Sequence, residues 1–123
     1  MNISLQEKTY KIIGACMETH RYLGNGFHES VYQEAVEIEL RGRNVPCNRE
    51  AKLTIDYKGM VLKKHYYADF ICFNEIILEI KAVSNLADEH VAQVLNYLKT
   101  SHFKIGLLVN FGTPSLTYRR LIF

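Results

Sequence analysis

Residues 66–83 read YYADFICFNEIILEIKAV, and no other stretch restricts the fold as much. Its β-branched and aromatic side chains spell two strands joined by a short turn, yet it carries Asp69, Glu79 and Lys81. Ionised groups are costly to strip of water unless something pairs with them. Side chains alternate across a strand, so Glu79 and Lys81 share one face while Leu78, Ile80 and Ala82 take the other. A three-residue loop at Phe73-Asn74-Glu75 sets Asp69 directly opposite Glu79. A two-residue loop pairs Asp69 with Ile80 and puts the carboxylates on opposite faces. We expect the odd-length loop or an equivalent bulge, which leaves the two carboxylates about 5 Å apart at Cβ with Lys81 one step along.

The flanking sequence changes period around this hairpin. From about Ser4 to Tyr22, Leu5, Tyr10, Ile12, Ile13, Cys16, Met17 and Leu23 fall near helical spacing, and Ser4 and Glu7 have the separation of a capping box. The segment LGNGF breaks that helix. A second helix is expected from about His28 to Arg41, turning Val31, Tyr32, Ala35, Ile38 and Leu40 inward and stopping at Gly42, with Pro46 beyond. Alternating runs over 50–57 and 60–73, joined at DYKGM, read as an antiparallel pair. NEIILEIKAV adds a strand, and helical spacing returns through Val91, Val94, Leu95 and Leu98. KIGLLVNFG reads as a strand covered on both faces, and LTYRRLIF as a short edge strand. The order α-α-β-β-β-α-β-β implies a mixed sheet with helices packed on it, of α/β (α+β) class.

With 123 residues the chain fits one domain, 1–123, and its 48% hydrophobic and 23% charged residues are ordinary for a globular protein. A net charge of +2 does not announce a nucleic-acid binder, although basic residues gather at Lys63-Lys64-His65 and Arg119-Arg120. Cys16, Cys47 and Cys72 are odd in number with no ligand spacing, so free thiols and a reducing cytoplasm are expected, without structural zinc. The sequence shows no long apolar leader region and no run able to span a bilayer, so we expect a soluble, cytoplasmic protein.

Two carboxylates held close repel, so one takes up a proton or a cation binds between them. Mg²⁺ or Mn²⁺ suits oxygen ligands of this type and leaves positions for water and a phosphate oxygen. An ExK on a strand is more often a solvated face; here it has company. GFHESVY puts Glu29 at a helix start, three residues after Gly26 and three before Tyr32, and QVLNY puts Gln93 and Tyr97 one turn apart on one helix face. His28 and His90 read as helix-terminal residues.

GFHESVY, YYADF, ILEIKAV, HVAQVLNYLK and GLLVNFG together resemble the GxxExxY proteins of the PD-(D/E)XK nuclease superfamily, from about Leu23 to Arg120. The resemblance implies a restriction-endonuclease-like αβββαβ core, preceded here by an extra helix. It implies that Asp69 and Glu79 are metal ligands, Lys81 the catalytic lysine, Glu29 a further carboxylate close to the metal that completes its coordination shell, holds a metal-bound water or recruits a second ion, and Gln93 and Tyr97 the QxxxY helix supporting the site. The residue before Asp69 is Ala68, where the superfamily name has Pro. The function implied is hydrolysis of phosphodiester bonds in DNA with Mg²⁺ or Mn²⁺. Lys63, Lys64, Arg119 and Arg120 are then candidate phosphate contacts. The alternatives are a catalytically silent binding or interaction module on the same fold, and an RNA-directed nuclease. Cutting two strands calls for two sites, so a homodimer through the first helix and the C-terminal LIF is a further expectation.

Overall fold

A computed structural model describes residues 3–123, and among these residues three helices and five strands follow in the expected order. Helix α1, Leu5–Leu23, starts at Ser4, whose hydroxyl oxygen accepts the Glu7 N–H at 3.1 Å. Only half of the expected capping box forms, because the Glu7 carboxylate takes the Ser4 hydroxyl proton instead of the Ser4 backbone N–H. Gly24, at φ +69°, ends the helix and returns its N–H to the His20 carbonyl. Helix α2, Glu29–Gly42, buries Tyr32, Val36 and Leu40. Tyr10 (81% exposed) and Met17 on α1, and Val31 and Ile38 on α2, face outward against expectation. A surface helix buries only one stripe along its length, and on α2 Val36 occupies the place assigned to Ile38.

Strands β1 (Cys47–Tyr57), β2 (Met60–Cys72), β3 (Ile76–Lys81), β4 (Ile105–Asn110) and β5 (Thr117–Ile122) form one sheet in chain order. Only β3 and β4 run parallel, joined by helix α3, Asp88–Ser101. The fold is thus a mixed α+β sheet of restriction-endonuclease-like form. Helices α1 and α2 cover one face through Ile12, Cys16, Tyr32, Val36 and Leu40 against Phe70, Leu78, Ile80, Leu107 and Phe111. Helix α3 covers the other through Val94, Tyr97 and Leu98 against Ile71, Ile77, Leu108 and Leu121. Every residue of β4 is buried, as a strand sandwiched by helices requires. Gly106 permits the contact with α3, since a methyl group there would collide with Val94.

The β1–β2 pair changes face partway along. Cys47, Phe70 and Cys72 pack on the α1–α2 side, whereas Ala51, Leu53, Tyr66 and Ala68 pack on the α3 side. Residues two apart on a strand normally share a face, so both strands rotate between these sets. The rotation falls where Glu50 and Asp69 meet. Glu50 sits at φ +52° in mid-strand, and the register is the same on either side of it.

Candidate active site

The β2–β3 turn is the three-residue Phe73-Asn74-Glu75, with Phe73 and Asn74 both left-handed. Direct pairing runs Cys72↔Ile76, Ile71↔Ile77 and Phe70↔Leu78, and continuing that register sets Asp69 against Glu79. There the carboxylates replace the ladder. Glu79 Oε2 accepts the Asp69 N–H at 2.5 Å, and Asp69 Oδ2 accepts the Ile80 N–H at 2.8 Å. Each carboxylate therefore has one oxygen fixed by backbone, and the Gln33 amide adds a side-chain hydrogen bond to Asp69. The rotation at Asp69 explains this placement: with Ala68 and Phe70 facing opposite sides, the side chain between them lies near the sheet plane.

Glu79 is 2% exposed, and its burial, with the Asp69 charge beside it, pushes its carboxyl up to about 8. Burial also raises Asp69 above the usual carboxylate range, against the pull of the Ile80 N–H and of Lys81. Lys81, the last residue of β3, faces the same group. Half-buried Glu29, first residue of α2, lies near Lys81, Asp69 and His90, and burial raises its carboxyl as well. Tyr97 approaches from α3; burial and then the charges of Glu79 and Asp69 push its hydroxyl up to about 12. Gln93 lies one turn before Tyr97, and its Oε1 is buried with no hydrogen-bond partner among the described residues.

Several supporting residues lie outside the set expected to do chemistry. Tyr32 is fully buried; its hydroxyl donates to the Gly24 carbonyl at 2.6 Å and accepts the Phe27 N–H at 3.2 Å, and its ring stacks on Phe111. It thereby ties the Gly-rich turn to the start of α2, which carries Glu29. The Gln33 amide stands beside Asp69, and its place one helical turn after Glu29 was the available signal. Asn110 accepts the Val83 N–H and donates to the Val83 carbonyl, clamping the chain just after Lys81. Gly112 completes this clamp, since a side chain there would strike the Val83 backbone. His90 accepts the Ala87 N–H and so caps α3, while His28 is the N-cap residue of α2.

The four basic candidates do not form one patch. Lys63 and Lys64 lie on β2 beside one edge strand, and Arg119 and Arg120 on the opposite edge strand, β5. Arg119 shares a row and a face with Glu79 across Leu108, two strand spacings or about 10 Å away. Arg120 turns to the other face, where it lines a groove with Tyr10, Ile13 and Met17.

The donor set fits a hard divalent ion. Each carboxylate has one oxygen tied to backbone, burial above all pushes both towards their protonated forms, and the Gln93 oxygen has no partner among the described residues. Among the described residues no three His, Cys, Asp or Glu side chains converge into a closed cage, so Glu29 stands off from the pair. Mg²⁺ needs no such cage: it keeps several waters and takes one or two carboxylates.

A comparison with curated proteins gave no match. Among solved structures, one titled "Crystal structure of SSO0001" superposes with a TM-score of 0.62 at 23% identity, over 76% of this chain and 50% of that one. The chain thus spans about half the length of that relative, and the likeness is one of fold. A sequence model of the PD-(D/E)XK nuclease superfamily, whose nucleases generally use divalent metals, matches residues 6–121. With nearly its whole length matched, the chain belongs to the PD-(D/E)XK nuclease superfamily.

Proposed function

We propose that this protein is a metal-dependent nuclease that hydrolyses phosphodiester bonds in DNA, with Asp69 and Glu79 holding Mg²⁺ or Mn²⁺. One observation carries the reading: two carboxylates, Glu79 buried and Asp69 half-buried, face each other across β2 and β3, each anchored through one oxygen by a backbone N–H. The ion, when bound, acts as a Lewis acid on the scissile phosphate and acidifies water. The protein supplies the rest. Asp69 and Glu79 are held in place by backbone N–H groups, so little reorganises as substrate arrives. Lys81 orients the attacking water and offsets charge gathering on the phosphate. Glu29, at the start of α2 near Lys81 and Asp69, accepts a proton or steadies that water. Gln93 and Tyr97 buttress the carboxylates from α3, and Arg119 meets a phosphate farther along the strand.

The Gly26–Glu29–Tyr32 spacing supports a place among the GxxExxY proteins, and three free thiols support a reducing compartment such as the cytoplasm. Among the described residues no helix is long and apolar enough to cross a membrane. A homodimer finds support in the exposed Tyr10, Met17, Ile122 and Phe123. Sedimentation of the protein should then give twice the chain mass, and a monomer at all concentrations would remove that assignment.

The deciding experiment is calorimetric titration of Mn²⁺ and Mg²⁺ into wild type, Asp69→Ala and Glu79→Ala, followed by DNA and RNA substrates with and without chelator. Binding lost in both variants, with chelator-sensitive DNA cleavage by wild type, is expected. Equal binding by all three proteins without cleavage of any substrate would sink the reading; cleavage of RNA alone would replace the substrate.

A further inference from the structure

β3 pairs with β2 only from Phe70 to Cys72, so the outer part of the β1–β2 hairpin is a two-stranded ribbon leaving the sheet. Nearly every residue from Thr54 to Lys64 is exposed. The tip is well ordered by its own chemistry: Lys58 and Gly59 are both left-handed, as a two-residue type I′ turn requires, and Asp56 accepts the Gly59 N–H at 3.1 Å. Between Thr54 and Asp56 the register shifts, leaving Leu62, Lys63 and Lys64 opposite Ile55 alone. Such a bulge bends the ribbon and re-aims its side chains.

The ribbon's surface has an unusual make-up. Residues 52–67 hold four lysines against one acid, Asp56, an excess larger than the +2 of the entire chain. Its tip also exposes Tyr57, Met60 (70%) and Val61 (67%). Apolar side chains this exposed do nothing for folding, and the lysines make no ion pairs among the described residues. Lys64 lies over the Tyr66 ring, which meets Tyr97, which borders Asp69 and Glu79, so the ribbon's α3-side face runs continuously into the candidate active site.

We infer that the β1–β2 ribbon is an arm that enters the major groove of double-stranded DNA, its lysines on the flanking phosphates and Met60 and Val61 against base edges. This rests on the nuclease reading and narrows its substrate to duplex. A two-stranded ribbon matches a major groove about 12 Å wide, whereas a single strand offers no groove to fill. From Met60 to Asp69 the ribbon reaches at most about 30 Å, close to one turn of duplex, so one DNA segment meets both arm and carboxylates.

The test uses the full chain, a labelled 24-base-pair duplex, the matching single strand, and phosphatidylserine vesicles. Lys58→Gln/Lys63→Gln/Lys64→Gln should weaken duplex binding at least 30-fold and lower the salt slope by about 2 to 3, at roughly 0.9 for each phosphate no longer neutralised. Met60→Ser/Val61→Ser should weaken it about tenfold with the slope unchanged. Mn²⁺ binding and melting temperature should not move in either variant, which separates failure of the arm from failure of the metal site. Duplex binding within twofold of wild type in the lysine variant overturns the proposal. So does wild-type preference for the single strand or for vesicles over duplex. An unaffected Met60/Val61 variant overturns the groove contact.

Discussion

The two halves of the β1–β2 hairpin are joined by the same antiparallel hydrogen bonding, yet they live in different environments. The inner half, around Cys47–Arg49 and Phe70–Cys72, has β3 beside it and α1–α2 over it. The outer half has α3 against its base through Leu53 and Ala68, and solvent around its tip. Pairing alone therefore does not decide what a strand is for; the neighbours do. The joint between the halves is the rotation at Glu50 and Asp69, so the carboxylate proposed to hold metal sits where the sheet stops being core.

The largest expected effect lies at that joint. Asp69→Asn keeps an acceptor for the Ile80 N–H but removes the charge, so cleavage should fall about 10³-fold or more with stability unchanged or raised. Activity retained within tenfold would detach the joint from the chemistry. Next in size is the contrast between the halves themselves. Phe70→Ala should cost about 3–5 kcal/mol in urea unfolding. Met60→Ala should stay within about 0.5 kcal/mol. Equal losses would mean the outer half is packed after all.

A pH series sharpens the same contrast. The Glu79 carboxyl is raised from an ordinary 4.5 to about 8 in the folded protein, so between those values the folded state holds the proton that the unfolded state has released. The metal-free protein should then lose stability as pH rises from about 5 to about 8, and Glu79→Gln should flatten much of that slope. A wild-type slope of the opposite sign would contradict the buried pair. The smallest effect concerns Glu50. Its left-handed backbone strains any side chain, so Glu50→Gly should stabilise by about 0.5–1 kcal/mol, and Glu50→Val should destabilise. If glycine destabilises, the Glu50 side chain itself holds the rotation.

Much of this arrangement was legible in the sequence for a plain reason. Local periodicity reports which elements form, and the odd loop at Asn74 follows from the need to bury the Ile76–Ile80 run while keeping the carboxylates together. The rotation at Asp69 was not legible, because no residue is inserted on either strand and alternation gives no warning. How the basic residues are arranged in space was hidden for a related reason. Arg119-Arg120 looks like a patch in the chain, but adjacent strand residues point to opposite faces, and Lys63-Lys64 sits in the bulge of β2 towards the other margin of the sheet. Tyr10 and Met17 satisfy helical spacing and still lie outside, because α2 and the sheet cover only part of that helix.

The two margins of the sheet carry a consequence for a crowded solution. An open strand edge is a template for another chain, and uncontrolled stacking along it leads to aggregates. On β5, Arg119 and Arg120 set one guanidinium on each face of that margin. A second β5 sliding alongside would bring four positive charges together in the middle of the new ladder. With a guanidinium on each face of that margin, Arg119 and Arg120 work against a second β5 pairing edge to edge.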